Sequence, residues 1–168
     1  MFQQLKKCIT TGFLTEEKPK INDEWLIKSS LHQSISKAFG HSLAIRHVDA
    51  GSCNGCELEI QALNNLFYNI EGLGIHFVAS PRHADLLLVT GPVSRHMALA
   101  LKRTYEAMPN PKLVVAIGNC ACPGGIFGET YATFEAVNQV IPVNVEVPGC
   151  PPDPNSILQG ILTAVQYV

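Results

Sequence analysis

Charge is scarce in this chain: Asp, Glu, Lys and Arg make up 15% of its 168 residues, against 46% hydrophobic. An average soluble domain is about a quarter charged. The low figure fits either of two arrangements. One is a compact domain built on large parallel strands; the other is a surface largely covered by partner subunits, since interface cores are depleted in charge. Neither sign is in excess, and a net charge of −2 gives no basic footprint for nucleic acid. Also missing is any run of roughly 18 uninterrupted apolar residues, so no segment reads as a membrane-spanning helix. The first residues, MFQQLKKCITTGFLTEEKPK, have neither the apolar core of a signal peptide nor a twin arginine. They predict a protein that stays in a reducing cytoplasm, where spaced cysteines serve metal binding or redox chemistry rather than structural disulfides. No Gly-rich phosphate loop, serine triad or carboxylate pair stands out.

What the chain does have is an alternation of short apolar runs and helical patterns, at a length that suits one domain with a real core. Residues 1–20 carry no periodicity and read as a loose arm. From Asn22, Ile27, Leu31, Ile35 and Phe39 recur every four residues until Gly40, which predicts an amphipathic helix packed on its own domain. The arm and helix form one unit, 1–40, and an α/β domain occupies 41–168. Within that domain strands are predicted at Leu43–Val48, Ile75–Ala79, Asp85–Thr90, Lys112–Ile117 and Val143–Val147. Helices are predicted over Glu57–Ile70, Ser94–Met108 and Pro154–Val168, with a short one around Tyr131–Gln139. Apolar runs of about five residues alternating with helices argue for parallel strands covered on both faces. The count fits a flavodoxin-like, doubly wound α/β sheet.

Cysteines follow three of the predicted strands. Leu43–Val48 leads into DAGSCNGC with Cys53 and Cys56, Lys112–Ile117 into GNCACPGG with Cys120 and Cys122, and Val143–Val147 into PGCPPDP with Cys150. In an open parallel sheet all carboxyl ends lie along one edge, where ligands bind. Cysteines about a hundred residues apart can meet there, and four thiolates suit an iron–sulfur cubane. A lone CxxC at a strand–helix junction also fits a thioredoxin-like dithiol oxidoreductase, but further cysteines at other strand ends serve no purpose in dithiol exchange. A Cys₄ zinc site usually brings two close CxxC-type knuckles to a small domain short of core; here ligands would arrive singly in a domain with ample core. Helix N-terminal amides are expected to favour thiolate at Cys56. Gly51 and Gly55 are expected to supply the tight bend, and Pro148–Pro152 to hold Cys150 rigidly. Spacing does not choose between Cys120 and Cys122. Asp153 is placed to cap the last helix, with proline at its first position. Arg95 and His96 fall on the carboxyl edge, where a charge or donor could raise a cluster's potential. Cys8 in the arm reads as a free thiol with no role.

Taken together, GSCNGCELE, HADLLLVTGPVSRHM, AIGNCACPGG and VPGCPPDP resemble the small-subunit family shared by [NiFe] hydrogenases and respiratory complex I, over about residues 43–168. Adjacent cysteines mark the complex I branch at the first site and CxxC the hydrogenase side, so Cys53-x-x-Cys56 resembles a hydrogenase small subunit. The short form, without a signal or a cysteine-rich C-terminal extension, is similar to the energy-converting membrane-bound group that includes formate hydrogenlyase. The resemblance implies one [4Fe–4S] cluster held by Cys53, Cys56, Cys120 and Cys150; the family pattern maps its cysteine onto Cys120 and requires none at Cys122. Glu59 corresponds to an acidic residue near the cluster in the complex I branch. Implied partners are a [NiFe] large subunit, a ferredoxin-like iron–sulfur subunit and membrane subunits of one complex. The chain would then sit peripherally at the inner face of the cell membrane, relaying electrons for proton reduction or hydrogen oxidation without itself being catalytic. The alternatives are a complex I-type quinone reductase subunit, a dithiol oxidoreductase and a zinc-stabilised interaction module.

Overall fold

The computed structural model describes residues 23–123 and 125–168. The expected arm and Cys8 lie outside these residues. Five strands form one all-parallel sheet: β1 (Leu43–Asp49), β2 (Ile75–Phe77), β3 (Leu86–Thr90), β4 (Leu113–Ile117) and β5 (Val145–Val147). Their order is β2-β1-β3-β4-β5, the flavodoxin-like arrangement. Helices α1 (Asp23–Phe39), α2 (Gly55–Ala62), α3 (Arg95–Ala107) and α4 (Pro154–Val165) flank it. β3 stands at the centre, and all five of its residues are buried. A strand with both faces covered must be apolar throughout, and LLLVT is.

Alternation along the strands sorts their side chains into two core layers. Leu43, Ile45, Leu86, Leu88, Leu113, Val115 and Ile117 face one way, against Ile60 of α2 and Ile157, Leu158 and Ile161 of α4. Leu31 and Ile35 of α1 join that layer, so the amphipathic stripe packs on its own domain as expected. Leu87, Val89, Val114 and Ala116 face the other way, against Leu101 of α3 and the loop residues Ala121, Val137 and Ile141. Each fully buried Leu, Ile or Val contributes about 1.5–3 kcal/mol, so most of the stabilisation comes from the strands and the helices packed on them.

Two predicted helices differ in the structure. The one expected over Glu57–Ile70 ends at Ala62. Beyond it the Asn65 side chain accepts the N–H groups of Phe67 and Tyr68, both at 2.9 Å, diverting donors that a helix would use. Asn69 then takes a left-handed conformation, φ 48°. Around Tyr131–Gln139 only a single 3₁₀ turn forms, Val137–Gln139. There Phe134 donates to the Val93 carbonyl at 2.9 Å, and Ala132 accepts from Arg95 N–H at 2.8 Å. The segment is tied to the β3–α3 turn instead of to itself.

The register brings the strand ends level. Thr90 pairs with Asp49 on one side and Ile117 on the other, and Ile117 pairs with Val147. All three cysteine-bearing loops therefore leave the sheet from one row.

Candidate metal centre

The first loop is shaped by Asp49. Its Oδ1 accepts the N–H groups of Gly51 and Ser52, each at 2.8 Å, and the Ser52 hydroxyl accepts Asn54 N–H at 3.2 Å. Burial pushes the Asp49 carboxyl up, but the Ser52 and Gly51 donors outweigh it and hold the group below its ordinary range. Gly51 bends as expected, at φ 108°; the second bend falls on Asn54, φ 72°, and not on Gly55, which is already the first residue of α2. The turn leaves Cys53 exposed and Cys56 half-buried.

The second and third loops are laced together. Gly118 N–H donates to the Val147 carbonyl at 2.8 Å and Asn119 N–H to the Gly149 carbonyl at 2.8 Å. The Asn119 side chain returns the contact, its Oδ1 accepting Gly149 N–H at 2.7 Å. Asn119 is a site residue that sequence reading missed; its only signal is its place beside Cys120. Two glycines line the gap. A Cβ on Gly118 (φ 91°) would sit 2.5 Å from Cys56 Sγ, and one on Gly149 (φ 143°) would sit 2.5 Å from Pro152 Cα. Only glycine lets these backbones approach so closely.

Cys56 and Cys120 feel the charge of the other cysteines across this space. The Cys56 thiol is pushed up to about 12, by burial first, then by Glu57, and then by the sulfurs of Cys53, Cys120 and Cys150. Cys120 is raised by burial and then by Cys150 and Cys53. The expectation that helix amides would favour thiolate at Cys56 fails because burial and neighbouring negative charge outweigh them. A thiol so raised stays protonated near neutral pH and is a poor nucleophile. Among the described residues, no three His, Cys, Asp or Glu side chains converge on a single ion position. In a cubane each thiolate binds its own iron, so the four need no common point, and the glycine-lined cradle with its soft donor set fits such a group.

Cys122 points elsewhere. It is buried with Ala121, Val137 and Ile141 in the α3-side core, its thiol 3.9 Å from the Ala116 carbonyl. Arg95 also turns away from the cysteines. Its Nη2 donates to the Thr130 carbonyl at 3.1 Å and lies 3.4 Å from Glu129 Oε1, and its guanidinium stacks 4.7 Å from the Phe134 ring centre. His96 is exposed. The expected cap of α4 is present: Asp153 accepts Ser156 N–H at 3.2 Å.

Residues 53–164 match the family described as NADH ubiquinone oxidoreductase, 20 Kd subunit. The chain is 46% identical over 132 residues to the probable membrane-bound hydrogenase subunit mbhJ of Pyrococcus furiosus, covering 79% of each chain. It is 40% identical to formate hydrogenlyase subunit 7 of Escherichia coli, over 82% of this chain and 54% of that one. Among solved structures it is similar to a chain of the membrane-bound sulfane sulfur reductase, an archaeal respiratory membrane complex. That match has a TM-score of 0.67 and 33% identity, covering 82% of this chain and 75% of the other.

Proposed function

We propose, for a chain that belongs to the NADH ubiquinone oxidoreductase 20 Kd subunit family, that it is the electron-relay subunit of a membrane-bound [NiFe] hydrogenase complex. The observation that carries this reading is the meeting of Cys53, Cys56, Cys120 and Cys150 at one sheet edge, electrostatically coupled and all within the matched residues. These four thiolates would hold one [4Fe–4S] cluster, which when bound supplies one-electron transfer. The chain's own residues bind and shape: Asp49 fixes the CxxC turn, Asn119 joins the other two loops, and Gly118 keeps the space beside Cys56 open.

Similarity to a membrane-bound hydrogenase subunit over 79% of both chains supports the hydrogenase assignment. On this reading the partners are a [NiFe] large subunit, a ferredoxin-like subunit and membrane subunits. No described helix is long and apolar enough to cross a membrane, so attachment at the inner face would run through those partners. The family's own description favours one second reading, a complex I-type subunit that passes electrons towards quinone.

The deciding experiment is metal analysis of the complex purified without oxygen through a tag on this chain. Nickel with iron is the expected result. Iron without nickel moves the assignment to the quinone-reductase branch or another nickel-free respiratory complex. Zinc, or no metal, overturns the cluster.

A further inference from the structure

Glu57 follows Cys56 directly and is 7% exposed, yet among the described residues neither carboxylate oxygen has a hydrogen-bond partner. Among the described residues the one ion-pair candidate within 4 Å is His47, whose Nε2 lies 3.9 Å from Glu57 Oε1. That is too long for a hydrogen bond, and the same nitrogen already meets Thr90 Oγ1 at 3.1 Å. Burial keeps the His47 imidazole below its ordinary value, against the pull of Glu57 and Asp49. At neutral pH it therefore stays uncharged and offers Glu57 no counter-charge. Arg46, on the same strand, makes no ion pair with Glu57. A buried carboxylate with neither a hydrogen-bond donor nor a charged ion-pair partner is expensive. The fold places this one where its field falls on a cysteine sulfur.

We propose that Glu57 is a positioning residue that stays ionised beside the cluster bound in the cradle and acts electrostatically through Cys56, holding the cluster's reduction potential low. This rests on the relay reading above. An electron entering the cradle adds negative charge, and a fixed negative charge nearby opposes it, the more so where water is excluded. The consequence is a relay poised for strongly reducing partners and poorly matched to a high-potential acceptor such as quinone.

The test is an EPR-monitored redox titration of the intact complex at fixed pH, with Glu57→Gln, Glu57→Ala and Glu57→Asp. Both neutral variants should raise the reduction equilibrium constant at least tenfold, about 59 mV for a one-electron couple. Alanine matters because it removes the charge without adding a donor, and Asp should stay nearer to wild type than either. A smaller shift or one of opposite sign in the neutral variants overturns the proposal. So does a cluster that assembles with Asp but with neither neutral residue, since the carboxylate would then be structural. An intact wild-type complex with no iron–sulfur signal overturns the proposal together with the reading beneath it; a signal whose potential ignores Glu57 overturns the proposal alone.

Discussion

Asn119 and Gly149 hold each other through two hydrogen bonds, backbone N–H to carbonyl at 2.8 Å and Gly149 N–H to the Asn119 side chain at 2.7 Å. Each neighbours a cysteine, Cys120 and Cys150, so the pair fixes the distance between two of the proposed ligands. Asn119→Ala removes one bond and leaves the Gly149 N–H to water, an effect of about 0.5–1.5 kcal/mol. The fold should survive that loss. The expected outcome is a lower iron-to-protein ratio and faster bleaching of the cluster in air, with far-UV circular dichroism unchanged.

Gly118 should tolerate nothing larger. Alanine there carries the left-handed penalty of about 1–2 kcal/mol at φ 91°, and its methyl would sit 2.5 Å from Cys56 Sγ. The sulfur is the movable party, so it gives way and leaves its position in the cradle. Gly118→Ala should therefore yield a folded chain with little or no cluster, read by iron content and EPR.

The sheet was legible because LLLVT and LVVAI are unbroken apolar runs that only doubly covered strands require. The cysteines were legible because strand-end loops of a parallel sheet share an edge. What was not legible came from particular hydrogen bonds that hydrophobic pattern does not encode. Asn119 acts on a residue thirty positions away. Asn65 ends α2 early through its side chain, and backbone ties to Val93 and Arg95 keep residues 131–136 from coiling. The burial of Glu57 was not legible because helical pattern says nothing of which glutamate turns inward; Glu57 is buried and Glu59 is not.

Cys150 and Cys122 should behave oppositely. Cys150 is exposed in the cradle loop, whereas Cys122 is buried in the α3-side core, its thiol pushed up to about 11 by burial and then by Glu146. Cys150→Ala should abolish the cluster's EPR signal and turnover of the complex. Cys122→Ala removes one buried sulfur, a loss of about 1 kcal/mol on the scale of a buried methylene, and should leave the signal in place. Loss of the cluster in the Cys122 variant would overturn the choice of Cys120.

Asp49 gives a pH signature. Its folded carboxyl lies below the ordinary value of 3.8 because backbone donors outweigh burial. Its contribution is therefore complete above the unfolded value, including at neutral pH, and is lost as acid takes the pH down through the folded one. Asp49→Ala should lower stability at pH 7, and the two stability curves should converge in strong acid. Denaturant titrations at a series of pH values check the sign.

Removing the iron should leave the domain folded. The core layers are built from Leu86, Leu88 and Val115 on one face and Leu87, Val89 and Val114 on the other, all buried and none of them in the cysteine loops. A domain organised by metal unfolds when chelated, because binding free energy is then folding free energy. Here the proposed ligands stand on loops at the end of the sheet, outside the residues named above. The metal-free chain should keep its far-UV circular dichroism and a cooperative unfolding transition, and lose amide protection only around residues 50–56, 118–123 and 148–152. In that state Cys56, with its thiol pushed up to about 12, should alkylate slowly at neutral pH. A chain that unfolds on losing its metal would instead fit a zinc-stabilised module, and the cradle would be a structural staple.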